Sequence, residues 1–294
     1  MRILNSNDPF LTKGFMPLSN GISSSPVLIK LRNLAIKSLW HELITYPKPG
    51  LVSLIDSGSH KDMNAKTFYK SILSLRKYFY QVAYLGSAGE DFNLLRHVGI
   101  CAEQRMLATT KNINTHRGAI FILGILVASA AYKHSNQITG VSLGQIAIRL
   151  WGEKLLNHKQ FINSNGSNVK RNFKHGGALE EVLSGYRSIY EFALPEYRVV
   201  LNETGSYDLA RIQTFFTLVA NVADTNVMHR GGLDGLKESQ NLANNFLNSG
   251  GVYSPDWKEK SRGIHLKFIE MNLSPGGCGD LLSACIFAHH IEDA

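Results

Sequence analysis

Residues 27–52 read VLIKLRNLAIKSLWHELITYPKPGLV, and the fold class follows from how their apolar positions are spaced. Leu28, Leu31, Ala35, Leu39 and Leu43 recur at steps of three and four, which puts them on one face of an α-helix. Pro47 and Pro49 end that element, because proline lacks the N–H and crowds the preceding turn. The same period returns at about 66–85, 92–110, 116–134, 141–160, 178–192, 207–228, 233–249, 256–271 and 278–291. Strand-like alternation is confined to Tyr197–Leu201, and no repeat of fixed period occurs. The pattern predicts an all-α domain of about ten helices over residues 27–294, after an irregular leader at 1–26.

Composition bounds what such a domain can do. The 294 residues are 44% hydrophobic and 18% charged, enough apolar surface for a real core and too little charge for a disordered chain. Cys101, Cys278 and Cys285 form no CxxC pair and no disulfide framework, which points to a reducing, cytoplasmic compartment. The longest apolar run, Ala119–Tyr132, holds Gly124 and Ser129 and falls short of the ~20 residues a membrane span needs. The leader has no sustained apolar segment of the kind a signal peptide carries. Net charge is +8. The basic residues lack interleaved aromatics and clustered arginines, so a nucleic-acid surface is disfavoured against a pocket for an anionic small molecule.

The residues that carry chemistry sit in the interruptions between helices. In Pro47-Lys48-Pro49-Gly50, Lys48 stands on stiff backbone, either as a phosphate-facing ammonium or as a solvated lysine at a helix stop. His60 and Asp62 lie two apart on a loop and can converge on a proton or a metal; Asp62 is equally a cap for the helix at 66–85. Asn114-Thr115-His116-Arg117 opens the most apolar helix, where the helix dipole favours an anion. Upstream, Glu103 reads as a surface charge or a buried ligand. Asn226, His229 and Arg230 share a helical face behind Asp224 and ahead of Gly231-Gly232. In Ser274-Pro275-Gly276-Gly277-Cys278-Gly279-Asp280, Ser274 can cap, proline suits the first turn, and the glycines bare N–H groups to a phosphate. Asp280 there complements the dipole or holds a Mg²⁺.

In this order the runs Pro47–Val52, Gly58–Met63, Asn114–Phe121, Asp224–Gly232 and Ser274–Leu282 resemble the triphosphoribosyl-dephospho-CoA synthase family. Its pattern is PKPGLV, GxHxDM, NTHxGAIF, DTNxxHRGG and SPGGxxDLL. Cys278 and Gly279 depart from it, standing where Ser and Ala are usual. Ser53 and Asp56–His60 are similar to the malonate decarboxylase branch rather than the citrate lyase branch. The resemblance implies that the 2′-hydroxyl of 3′-dephospho-CoA displaces adenine from C1′ of ATP, with the triphosphate retained. The product is the precursor of an acyl-carrier-protein prosthetic group. Rival readings are a metal-dependent phosphohydrolase and a non-catalytic nucleotide- or CoA-binding module.

Residue chemistry then distributes roles for that reaction. His60 and Asp62 are the base or orienting groups, and His116 and His229 are donors to ATP or adenine. Lys48, Arg117 and Arg230 clamp phosphates, with Asn114, Asn226, Ser274 and the N–H groups of Gly276 and Gly277 completing the nucleotide site. Glu103, Asp224 and Asp280 are the Mg²⁺ candidates, Mg²⁺ being expected with ATP. A homo-oligomer is compatible with the sequence.

Overall fold

The computed structural model describes residues 25–158 and 177–292. The leader expected at 1–26 therefore falls almost wholly outside the described residues, as does the stretch 159–176. Within them every regular element is helical. In chain order these are α1 (Pro26–Ile44), α2 (Ala65–Ser74), α3 (Arg76–Ser87), α4 (Phe92–Thr109), α5 (Arg117–Ser135) and α6 (Leu143–His158). They continue as α7 (Ala178–Leu183), α8 (Leu194–Thr204), α9 (Tyr207–Asn221), α10 (Thr225–Asn248), α11 (Trp257–Glu270) and α12 (Gly276–Glu292).

The fold is built around α5 and α12, which are apolar on all sides. Nearly every residue of α5 from Ala119 to Ala131 is buried, as is α12 from Leu281 to Ala288. By length and composition α5 could cross a membrane, but here α3, α6 and α12 wrap it. Helices α3 and α5 touch backbone to backbone: a Cβ on Gly86 would lie 2.3 Å from the Ala128 carbonyl oxygen. Two tyrosines anchor the same helix, with Tyr78 Oη donating to the Ile120 carbonyl at 2.6 Å and Tyr186 Oη to that of Ile122 at 2.7 Å. One continuous core runs from Leu28 on α1 to Ala288 on α12.

Five expectations change. Tyr197–Leu201 is helical, inside α8, because Leu194, Tyr197 and Val200 at three-residue steps form its buried face and Pro195 suits its first turn. The helix expected at 66–85 breaks at the fully buried Leu75. That expected at 178–192 breaks at Gly185 and Tyr186, both at positive φ, beyond which a π-helical turn over Ser188–Ala193 leads into α8. The pattern at 207–228 is two helices, since the chain turns extended at Val222 and Asp224 caps a new helix with its side chain. Asn64, not Asp62, caps α2, its Oδ1 accepting from the Thr67 N–H at 3.1 Å.

Lys48 corrects the sequence reading most directly. It is 1% exposed, and its Nζ donates to the Glu42 carbonyl oxygen at 2.7 Å and to the Glu42 carboxylate. It therefore closes the last turn of α1 onto the following loop and does not face a phosphate. Burial pushes the Lys48 ammonium down and the Glu42 carboxyl up, and each partner pulls the other back. Removing one partner leaves the other charge buried and alone. Lys48→Met should cost ~3–5 kcal/mol in denaturant unfolding, and adding Glu42→Leu should recover most of it. A loss below about 1 kcal/mol would mean an exposed lysine instead.

Candidate active site

The first turns of α5, α10 and α12 all open on one cavity of about 1310 Å³. Asn114, Arg117 and Gly118 line it from α5, Thr225 and Asn226 from α10, and Ser274, Gly277 and Asp280 from α12. The volume exceeds the ~300–1,000 Å³ typical of a pocket for one small ligand. Helix N-termini carry unpaired N–H groups and partial positive charge, so three of them together favour anions.

Asp224 ties two of these N-termini together. Its Oδ1 accepts from the N–H groups of Asn226 (2.8 Å) and Val227 (3.2 Å), capping α10, and its Oδ2 accepts from the Cys278 N–H at 2.8 Å in the first turn of α12. Burial raises the Asp224 carboxyl, while the three N–H donors hold it down. Gly277 makes the approach possible, since a Cβ there would stand 2.9 Å from Asp224 Oδ2. Asp280 does the equivalent for α5: it accepts from the Ala119 N–H, and a Cβ on Gly118 would meet its Oδ2 at 2.0 Å. Ser274 does not cap α12 as its sequence position suggests. The Gly276 N–H turns back to the Ser274 carbonyl oxygen, which leaves Gly277 with the N–H that takes no acceptor among the described residues.

The loop after α1 supplies the facing wall. Gly50 packs so closely on the chain at Leu273 that a Cβ would fall 2.2 Å from its carbonyl oxygen, and its φ of 70° favours glycine. His265 of α11 pins the loop, its Nδ1 accepting from the Gly50 N–H at 3.3 Å and its Nε2 lying 3.1 Å from both oxygens of Asp56. His60 is then held from two sides. Arg230 Nη2 donates to its Nδ1 at 3.2 Å, which leaves the proton of the neutral ring on Nε2, 2.8 Å from Ser274 Oγ. Burial and the Arg230 guanidinium keep His60 below the ordinary histidine range. The ring lone pair is thus occupied by the Arg230 guanidinium. Arg230 Nη1 faces Ser59 O, Asn272 O and Asn272 Oδ1 at 3.0–3.3 Å and knits the loop to the chain before α12.

His229, Asp62 and Arg117 are exposed and line the cavity with Asn226 and Asn114. Arg117 is ion-paired with Glu103 at the rim, and Asn114 Oδ1 accepts from the Arg117 N–H. His116, expected as a donor to the nucleotide, instead points into the core, 4.9 Å from the Phe68 ring, with Nδ1 2.7 Å from Ser71 Oγ. The expected Mg²⁺ set is not assembled. Glu103 is engaged by Arg117, both oxygens of Asp224 are taken by backbone N–H groups, and no three His, Cys, Asp or Glu among the described residues converge as metal ligands. These residues do not fit a protein-built magnesium cage.

Sequence reasoning missed Glu42, Ser71 and Asn272. Glu42 alone carried a signal, because it extends the buried stripe of α1, where a charge requires a partner.

One buried and one half-buried histidine, His116 and His41, give the chain a pH dependence of definite sign. Burial, then Lys48, pushes His116 from 6.5 to about 3, and burial, then Arg211, pushes His41 to about 4. Below pH 6.5 the unfolded chain binds protons that the folded one does not, so stability is complete above that value and is lost as pH falls. His116→Asn should lower the slope of unfolding free energy against pH between about 5 and 6 by up to ~1.4 kcal/mol per pH unit. Parallel slopes for the two proteins would contradict the burial of this ring.

A family model described as ATP:dephospho-CoA triphosphoribosyl transferase matches residues 29–294. A probable 2-(5''-triphosphoribosyl)-3'-dephosphocoenzyme-A synthase of Acinetobacter calcoaceticus is 37% identical over 267 residues, covering 90% of this chain and 91% of that protein. One from Vibrio cholerae is 33% identical over 271 residues, covering 86% and 85%. Protein CitXG of Leuconostoc mesenteroides is 32% identical over 87% of this chain and 57% of its own length. No solved structure matches the chain. With a family match spanning all but the N-terminal residues and all five motifs set around one cavity, the chain belongs to the ATP:dephospho-CoA triphosphoribosyl transferase family.

Proposed function

We propose that this transferase moves the 5-triphosphoribosyl group of ATP onto the 2′-hydroxyl of 3′-dephospho-CoA with release of adenine. One observation carries the reading beyond family membership: the cavity is large enough for two nucleotides and is walled by three helix N-termini. Both substrates are polyanions, and the net charge of +8 adds a long-range field that favours their capture.

The chemistry is a single displacement at C1′. The C1′–N bond to adenine breaks as the bond from the 2′-oxygen forms, through an oxocarbenium-like transition state. In this reading Asp62 takes the hydroxyl proton, supported by its exposure at the cavity wall. The Gly277 N–H, Asn226, His229 and the half-exposed Arg117 are the donors available to phosphate. His60 and Arg230 position rather than react: the guanidinium fixes the tautomer, and the ring fixes Ser274 at the start of α12.

We assign the product to the acyl carrier protein of malonate decarboxylase. That choice is supported by the loop of Ser53 and Asp56–His60 alone. In the fold those residues shape the loop, with Ser53 Oγ accepting from the Ile55 and Asp56 N–H groups at 3.1 and 3.3 Å.

Incubation with ATP, Mg²⁺ and dephospho-CoA, followed by mass spectrometry, should give one adenine per product, with the triphosphate intact. Inorganic phosphate or pyrophosphate would indicate hydrolysis, and binding without adenine release a non-catalytic module. Asp62→Asn should lower turnover by about 10²–10⁴ while ATP binding survives; near-normal adenine release from that variant would exclude it as the base.

A further inference from the structure

Asp280 is built unlike the other acids of the cavity. It sits in the second turn of α12, on the cavity wall, with its carboxyl pressed into the space left by Gly118 at the start of α5. Asp62 and Glu103 stand at exposed or ion-paired positions, and both oxygens of Asp224 are taken. Glu181 also lines the cavity and is raised by burial, but its two oxygens accept from the Ser188 N–H and Oγ at 2.8 and 2.7 Å. Asp280 accepts from the Ala119 N–H and still lines the cavity.

Its neighbours are acids. Glu42 approaches from α1, its Oε1 3.1 Å from where a Cβ on Gly279 would stand, and Asp224 approaches from the cap of α10. The nearby cation, Lys48, is spent on Glu42, and His116, ahead of α5, stays neutral through burial. Burial, then Glu42, then Asp224 hold the Asp280 carboxyl well above the usual carboxylate range; the Ala119 N–H opposes them without prevailing. Enclosure beside two other carboxyls thus favours the protonated form, the form a general acid needs.

We propose that Asp280 is the catalytic acid that protonates adenine as it leaves C1′. The inference rests on the transfer reaction proposed above. As the C1′–N bond breaks, its electron pair goes to the purine, and the proton on the Asp280 carboxyl passes to a purine ring nitrogen. The 2′-oxygen bonds to C1′ and releases its proton to a base on the opposite face. Asp280 regains a proton from solvent before the next turnover, so the net change moves one proton from the hydroxyl to adenine. Acid and base roles then fall to two aspartates in contrasting surroundings, the enclosed Asp280 and the exposed Asp62.

The test compares two substrates in the full-length chain. One is ATP; the other is the analogue in which p-nitrophenol, a leaving group that needs no proton, replaces adenine. Asp280→Asn keeps an oxygen for the Ala119 N–H, and its thermal unfolding and ATP binding are measured alongside. With ATP its rate should fall by about 10²–10⁴; with the analogue it should stay within about tenfold of the wild type. Equal losses on both substrates, or full activity with ATP, would overturn the assignment. If the wild type released no adenine from ATP and dephospho-CoA, the transfer reading itself would fall and the proposal with it. Adenine from the wild type with equal losses in the variant defeats the Asp280 role alone.

Discussion

One buried carboxylate serves two helices. Asp224 caps α10 with one oxygen and holds the first turn of α12 with the other, at N···O distances of 2.8–3.2 Å. Leaving a buried hydrogen-bonding group unpaired costs about 1–3 kcal/mol, so each of these three bonds ties the fold locally. Its geometric effect matters more. It sets the start of α12 against the start of α10 and so decides where Ser274, Gly277 and Asp280 stand relative to Asn226, His229 and Arg230. Asp280, reaching to Ala119, adds α5 to the same junction.

Converging helix N-termini attract anions, and this protein meets most of that attraction with its own acids. Asp224, Asp280 and the cap Asn114 take N–H groups that a phosphate could otherwise use, leaving few, such as that of Gly277, for a ligand. The glycines that read as a phosphate cradle are therefore needed first for sterics: Gly118 and Gly277 let carboxylates approach backbone. Crowding acids in a dry junction has a second consequence. Glu42 is paired with Lys48 and Asp224 with three N–H donors, while burial and these two acids push Asp280 toward its protonated form. The same device that joins the helices thus supplies an acid.

The fold class was legible because helical period is a local property: the stripe from Leu28 to Leu43 survives intact in α1. The places where the reading failed depend on distant partners. A cap by Asp224 looks like mid-helix sequence until its side chain is seen to turn back, and five residues of alternation around Tyr197 cannot outweigh a buried face at three-residue steps. All five motifs gather at the junction, apart from the side chains that turn inward. Lys48 and His116 were read as ligand-facing since lysine and histidine beside Gly or Pro suit a pocket. Their burial depends on Glu42, six residues before Lys48, and Ser71, 45 residues before His116. Pairings of that kind leave no periodic trace. The Arg230–His60–Ser274 chain joins three separate motifs and could be seen only once they met in space.

The account turns on an Asp280 carboxyl that keeps its proton in the junction with Asp224 and Glu42. Infrared spectroscopy of the protein with isotope-labelled aspartate at neutral pH reads this directly, because a protonated carboxyl has a C=O stretch well separated from that of a carboxylate. The account predicts a protonated-aspartate band in the wild type that persists in Asp62→Asn and disappears in Asp280→Asn. If no such band appeared, or if it survived loss of Asp280, the junction would not hold its acids as described here.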